Sequence, residues 1–198
     1  MNRKLIPLRR LEGSTEEMSD DALLTAAGTG ETAALGALFD RHHHEVHRFL
    51  SRLSLVDSAE VDDLIQATFV DLPKLAKKFR GDSKVSTFIL GIAKNKARTA
   101  HRSASRRRKL ATAAGKGRLH ESPPTALQLV SDQEDKTRLA TALAALPIKL
   151  QEAMVLVYLE GLPGLEAAKA LGIREGTLWK RLHVARQTLR NIHTKETL

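Results

Sequence analysis

The residue types that most readily bind metal ions are concentrated at one place in the sequence. One short segment, HHHEVH, contains four of them: His42, His43, His44 and His47. His43 and His47 are four residues apart, so they share one face of a helix, and neutral imidazole is a common zinc ligand. The carboxylates nearby are Asp40 and Glu45. The sequence favours a solvated helix face here, with metal binding as the alternative, and it predicts no bound metal and no cofactor.

Nothing in the sequence is typical of a catalytic site. The segment GTGET at Gly28–Thr32 lacks the lysine of a phosphate-binding loop and is interpreted as a turn between helices. No nucleophile is accompanied by a general base at a recognisable spacing. We therefore expect that the chain has no catalytic residue and is not an enzyme.

A long basic segment favours a polyanionic partner. Between Ser83 and His120 the sequence contains no Asp or Glu. The cations of this segment are Lys84, Lys94, Lys96, Arg98, Arg102, Arg106, Arg107, Arg108, Lys109, Lys116 and Arg118. The whole chain carries a formal net charge of +9 and has a pI near 10.0. Such a one-sided distribution favours nucleic-acid binding over a merely solvated surface.

The C-terminal part has the pattern of a helix-turn-helix. It predicts one helix over Gly164–Leu171, a turn at Gly172 and Ile173, and a second helix from Glu175. In the second helix an apolar stripe repeats every three or four residues: Leu178, Leu182, Ala185, Leu189 and Ile192. The opposite face carries Thr177, Lys180, His183, Val184 and Gln187. Such a helix enters a DNA major groove; the alternative is an ordinary helical hairpin within a bundle.

Composition and periodicity indicate the elements that position these residues. Leu and Ala dominate the apolar residues and aromatic residues make up only 4%, which favours helices over sheets. The helices predicted in the first half are Asp20–Gly28, Glu31–Leu53, one from Ser58 and one over 87–105, with Pro73 expected to kink or restart the third. A Gly- and Pro-containing aperiodic segment follows, and helices resume near Asp135. The predicted fold class is all-α, with two small helical domains joined by a flexible linker.

The sequence also indicates a cellular compartment and the limits of the domains. Cysteine is absent, which excludes disulfides and Cys-ligated zinc and fits a cytoplasmic protein. No apolar run approaches the roughly 20 residues that span a bilayer, so no membrane insertion is expected. Residues 1–18 are predicted to be a frayed tail, 19–109 the first domain, 110–134 the linker and 135–198 the second domain.

Two blocks of the sequence, in this order, resemble a known family. The first block contains LFDRHHHEVHRFLSRL (38–53), AEVDDLIQATFVDL (59–72) and FRGDSKVSTFILGIAKNKAR (79–98). The second contains LPIKLQEAMVLVYLEGL (146–162) and LEAAKALGIREGTLWKRLHVARQTLR (165–190). These blocks resemble regions 2 and 4 of bacterial RNA polymerase sigma factors of the sigma-70 family, specifically the extracytoplasmic-function (ECF) group. Two separate blocks in the family's order are more specific than the helix-turn-helix alone.

The resemblance implies partners and binding residues. Region 2 of the family binds the β′ clamp of core RNA polymerase, and the matching residues are Asp62, Asp63 and Gln66. The β flap is a further polymerase contact of the family. Region 2 also opens and holds the minus-10 promoter element, and the matching residues are Arg80, Ser83, Lys84, Asn95, Lys96, Arg98, Thr99 and Arg102. Anti-sigma factors are common partners in the group, and the sequence identifies none.

Region 4 of the family binds the minus-35 element as duplex DNA. The matching residues lie just before the last helix and along it: Arg174, Thr177, Trp179, Lys180, Arg181, His183, Val184 and Gln187. A recognition helix on duplex DNA uses donors on the face opposite its core stripe. Arg174 and Arg181 are suited to phosphate contacts, and the remaining face to contact with bases.

The sequence departs from the family pattern at several positions. The aromatic-aliphatic pair Phe88-Ile89 replaces the usual Trp-Leu and preserves an apolar anchor. Ala67 replaces a glutamate that usually follows the region 2 glutamine, which lowers the expected affinity for the clamp. Trp179 and Val184 stand where Lys or Arg is common, so the last helix has fewer cationic donors. Trp179 is interpreted as covering the flank of the core, with sugar stacking or a thymine-methyl contact as alternatives.

Two other functions compete with a sigma factor. A stand-alone helix-turn-helix regulator would need only the C-terminal half, and it would have no use for the acidic helix with Asp62 and Asp63. A metal protein built on the histidine cluster would contain bound metal after purification. We therefore predict a promoter-specificity subunit that binds core RNA polymerase and recognises both promoter elements.

Overall fold

The computed structural model describes residues 15–113 and 133–196, and these residues form helices without any β-strand. The helices within this part of the chain are α1 (Asp20–Gly28), α2 (Thr32–Ser51), α3 (Val61–Ala76), α4 (Val85–Ala113), α5 (Gln133–Ala144), α6 (Ile148–Met154), α7 (Gly164–Leu171) and α8 (Glu175–Glu196). A 3₁₀ turn at Ser58–Glu60 precedes α3, and a π-helical turn at Val155–Leu159 continues α6. The predicted all-α class is confirmed.

Helices α1 to α4 pack around one apolar core. Each contributes side chains that are almost fully buried: Leu23 from α1, Leu38 and Phe49 from α2, Leu72 from α3 and Ile89 from α4. Apolar residues recur every three or four positions in these helices, so each helix has one face that leaves water on packing. This bundle supports the residues on the outer faces of the first half of the chain.

Two neighbouring residues of α2 hold the start of α1. The Arg41 guanidinium donates to the Met18 carbonyl and to an Asp20 carboxylate oxygen, both at 2.8 Å. The Nε2 atom of the buried His42 lies 2.9 Å from the other oxygen of Asp20. Burial by itself lowers the pKa of His42, but the carboxylates of Glu45 and Asp20 outweigh it and raise that pKa. Residues 15–18 of the predicted tail are held on α2 by Arg41, and residues 1–14 lie outside the described chain.

The third helix does not restart at Pro73. The structure shows α3 as one helix from Val61 to Ala76 with Pro73 inside it, so the expected restart is wrong. Proline removes one backbone hydrogen bond of a helix and carries a steric cost. The buried side chains of Phe69 and Leu72 lie just before it. Their burial against the bundle holds this turn helical, because tertiary packing overrides local propensity.

The fourth helix is longer than the periodicity indicates. It runs to Ala113, whereas the sequence predicts its end near Ser105. Helix α5 begins at Gln133, and the remaining part of the predicted linker, residues 114–132, lies outside the described residues. The basic residues up to Lys109 therefore follow one long helix. A helix of this length places its cations along a line at about 1.5 Å per residue.

Helices α6 to α8 bury apolar side chains that join those of the first four helices in one continuous cluster. Leu156, Leu178, Leu182 and Ala185 are almost fully buried in it. Helix α7 ends at Gly172, which has φ 67° and therefore adopts the left-handed conformation that glycine tolerates. The Gly172 and Ile173 amides donate to the last carbonyls of α7 and close the turn. The predicted helix-turn-helix lies at the expected positions.

Candidate functional site

An apolar groove lies between α2 and α3. Its volume is about 870 Å³, and it is lined by Thr32, Leu35, Gly36, Phe39, His43, His44, His47, Asp62, Ile65, Gln66, Phe69 and Val70. The side chains of Phe39 and Val70 remain 37% and 58% exposed there. Neighbouring exposed apolar residues with a polar rim mark an interaction surface rather than a core. The groove therefore has the character of a docking site for an apolar partner surface.

The residues predicted to bind polymerase lie at this groove. Asp62 and Gln66 are one turn apart on α3, and both line it. Asp63 is exposed next to Asp62 and lies in the same first turn of α3. The half-buried Ala67 follows Gln66, so the rim has one carboxylate fewer than the family pattern. The groove combines an apolar floor with acidic groups on one side.

The histidine cluster forms one wall of the groove. The His43 ring stacks on Phe39 with centroids 4.8 Å apart, and its Nδ1 atom lies 2.9 Å from the Phe39 carbonyl oxygen. The His44 ring lies 3.9 Å from that of His43, and His47 Nδ1 lies 3.4 Å from the Ser51 hydroxyl. Across the part of the chain that the structure covers, no three His, Asp or Glu side chains gather to hold a metal ion.

Some residues predicted to bind the minus-10 element are exposed. Lys84 is exposed in the loop before α4, and Asn95, Thr99 and Arg102 are exposed along the middle of α4. In that loop Gly81 has φ 73°, which permits the sharp turn between Arg80 and Ser83. The exposed cations and the Asn95 amide form a surface that suits the backbone of a nucleic-acid strand.

Two other residues of this set already have partners. Lys96 forms an ion pair with Asp71 of α3, and this contact holds the pKa of Asp71 below its usual value. Arg98 forms a two-atom ion pair with Glu152 of α6, with Arg98 Nε 2.6 Å from Glu152 Oε1. The structure therefore divides the predicted minus-10 residues into exposed ones and ones engaged within the chain.

The sequence did not indicate three acidic residues of the second half that contact the first. Glu152 pairs with Arg98, and Glu160 pairs with two arginines at the end of α2, Arg48 within the helix and Arg52 just after it. Glu166 accepts from the Thr87 hydroxyl at 2.7 Å and from the backbone amide of Lys84 at 3.1 Å. Burial raises the pKa of Glu166, but these hydrogen bonds outweigh it and lower that pKa. A charged residue at a core position of an apolar helix, as Glu152 is in LQEAMVL, is the only sequence signal for such contacts.

The residues predicted to bind the minus-35 element lie together on the outer face of α8 and at its start. Arg174, Thr177, Trp179, Lys180, His183, Val184 and Gln187 are exposed, and Arg181 is half-buried. The Trp179 indole N–H donates to Glu175 at 3.2 Å. Its ring lies over Gly164, where an added Cβ would be only 2.7 Å from it. Trp179 therefore packs on the start of α7 while 48% of it remains exposed.

The helices described here include none that is both long and apolar enough to cross a membrane.

The protein-family comparison places this chain's two halves in one family. The family model "Sigma-70 region 2" matches residues 38–107, and "Sigma-70, region 4" matches residues 136–189.

Similar proteins give the same result. The chain is 32% identical over 177 residues to the ECF RNA polymerase sigma factor SigM of Mycobacterium tuberculosis (strain H37Rv), which covers 89% of this chain and 86% of that protein. It is 27% identical to the ECF RNA polymerase sigma-E factor of Escherichia coli (strain K12), covering 89% and 95%.

Two solved structures share the fold. CnrH in complex with the cytosolic domain of CnrY has a TM-score of 0.63 at 24% identity, covering 89% of this chain and 97% of that one. The sigma factor RpoE of Bartonella quintana, in complex with the anti-sigma factor NepR, has a TM-score of 0.52 at 21% identity, covering 87% and 92%. With both region models and a relative above 30% identity, the chain belongs to the sigma-70 family, in the group of ECF RNA polymerase sigma factors.

Proposed function

We propose that this chain binds core RNA polymerase, recognises the minus-35 and minus-10 promoter elements and initiates transcription. The observation that carries the proposal is the presence of two different surfaces on one chain. One is the groove of region 2 with an acidic rim, and the other is the exposed outer face of α8. A DNA-binding regulator alone has no need of the first surface. Polymerase supplies the chemistry, so the function needs no catalytic residue here.

The groove between α2 and α3 is the proposed site for the β′ clamp. Its floor presents Phe39 and Val70 to a partner, and its rim presents Asp62 and Gln66. Interfaces combine an apolar centre with polar groups that set orientation. Asp63, on the adjacent position of α3, extends the acidic edge. An anti-sigma factor and the β flap are further partners in the proposal, and the expected place of action is the cytoplasm.

The experiment that tests this function is transcription with purified components. Core RNA polymerase is mixed with this chain and a library of genomic promoters, and run-off transcripts are measured. A sigma factor yields transcripts that core polymerase alone does not make. If the chain binds duplex DNA but no transcript depends on it, a stand-alone helix-turn-helix regulator is the correct function. Metal analysis of the same preparation tests the metal-protein alternative.

Lys180 and Arg181 are expected to affect promoter binding in different ways. Lys180→Ala should change the preferred base at one or two minus-35 positions, because a lost base contact changes discrimination by about 1–3 kcal/mol. Arg181→Ala should weaken binding to all promoters similarly, as the loss of a phosphate contact does. Each variant is used to select promoters from a randomised library. Selection of the parent minus-35 sequence by Lys180→Ala would mean that α8 positions the domain without base recognition.

Arg102 offers the clearest test of the minus-10 surface, since it is exposed while Arg98 is paired with Glu152. Arg102→Ala should reduce open-complex formation and flatten its salt dependence. Each lost phosphate contact lowers the log–log slope by about 0.7 on a single strand and about 0.9 on duplex DNA. Permanganate reactivity of opened thymines is measured at several salt concentrations. A parent-like slope and reactivity would make Arg102 a solubilising residue only.

A further inference from the structure

One exposed carboxylate lies among the residues predicted to bind the minus-35 element. Glu175 is the first residue of α8, and it lies between Arg174 and Thr177 of that set. The residues at the start of a recognition helix contact base edges in the major groove. A negatively charged side chain at this place therefore lies close to DNA when α8 docks.

The Trp179 side chain holds the Glu175 carboxylate in one orientation. The indole Nε1 donates to Glu175 Oε1 at 3.2 Å, across one turn of α8. A carboxylate has two acceptor oxygens. The hydrogen bond to Trp179 uses Oε1, so Oε2 can accept from a second donor while the side chain stays in place.

The start of α7 leaves room for both side chains. Gly164 is the first residue of α7, and the Trp179 ring lies over it. A Cβ on Gly164 would be 2.7 Å from Trp179 Cζ2 and 3.1 Å from Glu175 Oε1. The first of these distances is too short for two carbon atoms, so a larger residue would displace the indole. The indole is therefore fixed by its packing on α7 and by its hydrogen bond to Glu175.

Position 179 is one at which the sigma family commonly has lysine or arginine. Those side chains can donate several hydrogen bonds to DNA, whereas tryptophan has one donor, the indole N–H. In this chain that donor is directed to Glu175. The tryptophan therefore replaces a cation on the helix by an oriented acceptor, which changes the kind of base that the helix can recognise.

A carboxylate in the major groove requires a donor on a base edge. Guanine presents the acceptors N7 and O6 there, and thymine presents the acceptor O4 with a methyl group. Adenine has its N6 donor next to the acceptor N7, whereas cytosine presents the N4 amino donor alone. Cytosine is therefore the base that a carboxylate contacts without meeting an acceptor of the same base.

We propose that Glu175 recognises a cytosine of the minus-35 element and that Trp179 is its positioning residue. The inference rests on the proposed function and adds a residue and a base to it. The helix dipole also favours an acidic residue in the first turn of a helix. That effect requires neither the hydrogen bond from Trp179 nor the space at Gly164, and base recognition uses both.

The test is selection from a duplex library randomised over the minus-35 element, with the full chain and core RNA polymerase. The parent should enrich cytosine over thymine about tenfold at one position, as one specific base contact does. Glu175→Ala should lose the preference at that position only. Glu175→Gln should replace cytosine by adenine there, because glutamine pairs with N6 and N7 of adenine. Asp21→Asn removes one exposed negative charge on α1 and should select as the parent does.

Two further variants test the positioning of the carboxylate. Trp179→Phe keeps an aromatic ring and removes the donor, and Gly164→Ala displaces the ring while the indole and the carboxylate remain. Each should weaken the cytosine preference at least about threefold, as the loss of one hydrogen bond does. Trp179→Phe in the Glu175→Ala background should change that preference no further, because Trp179 acts there through Glu175. A purely structural role would instead weaken binding to every sequence in both backgrounds.

Selection of the parent cytosine by Glu175→Ala, with parent-like circular dichroism, would overturn the inference. A uniform gain in affinity with an unchanged preference would overturn it as well, since Glu175 would then only repel phosphate. An unchanged preference in both Trp179→Phe and Gly164→Ala would reject the positioning role.

Run-off transcription separates these outcomes from the proposed function. Chain-dependent transcripts with an unchanged preference in Glu175→Ala reject only the base assignment. A lost preference without any transcript supports base recognition by Glu175 and rejects only the sigma activity. A library from which the parent enriches no sequence would overturn both.

Discussion

Leu182→Ala is expected to unfold the helix-turn-helix and to abolish binding to the minus-35 element. The side chain of Leu182 is fully buried, and its helix, α8, packs against α6 and α7. Truncation of a buried leucine to alanine costs about 2–5 kcal/mol, because the cavity is only partly filled by relaxation. A small helical domain has a correspondingly small free energy of unfolding. Truncation of Leu182 is therefore expected to remove most of the free energy of unfolding of the C-terminal half.

The measurement is hydrogen exchange of the full chain together with promoter binding by the holoenzyme. Amides of α7 and α8 should lose protection in Leu182→Ala, while those of α2 and α3 keep it. Leu165→Ala is the matched control, because Leu165 is 52% exposed on α7 and surface substitutions usually change stability by less than about 0.5 kcal/mol. Parent-like protection of α8 in Leu182→Ala would show that this side chain does not hold the domain together.

Asp63→Arg is expected to lower the affinity for core RNA polymerase at least about a hundredfold. The change reverses a charge at the edge of the groove between α2 and α3. A like-charge juxtaposition at an interface costs several kcal/mol, and about 1.4 kcal/mol corresponds to tenfold. Asp63 is exposed, so the fold of the free chain should be preserved. Affinity is measured by titrating labelled core polymerase.

The control for this variant is Asp21→Arg, which makes the same charge change on the exposed side of α1. It should bind core polymerase as the parent does. If both variants bind with parent affinity, the acidic edge of α3 lies outside the polymerase interface. If both lose affinity equally, the effect comes from net charge and the groove has no special role.

The sequence alone determined the helical elements and the faces of the last helix. Leu178, Leu182 and Ala185 are buried as their spacing predicts, and Lys180 and His183 are exposed. Such patterns are local, since the 3.6-residue repeat places each side chain on a face whatever the rest of the chain does. The predicted bounds of α7 agree with the structure for the same reason, because Gly172 marks its end. The resemblance to sigma factors depends on residues in both halves and is confirmed by the family matches.

Tertiary structure decided the continuity of α3 and the roles of the charged residues. Local chemistry predicts a kink or a restart at Pro73, and the structure shows one continuous helix, with Phe69 and Leu72 buried just before the proline. The spacing of the histidines placed His43 and His47 on one face, but only the structure shows that His42 points inward to Asp20. Whether a charged side chain is solvated or paired depends on which elements pack beside it.

The contacts between the two halves are the feature that sequence reasoning could not supply. Glu152 lies 54 positions from Arg98, and Glu160 lies 108 positions from Arg52. No periodicity links residues so far apart, and an acidic side chain in an amphipathic helix ordinarily faces water. Their partners are set by how the helices of the two halves pack, and at one such contact Gly91 of α4 lies close to the Ala170 carbonyl of α7. The candidate binding residues could therefore be named from the sequence as predictions, whereas the ion pairs that some of them make across the chain were decided by the packing of one half against the other.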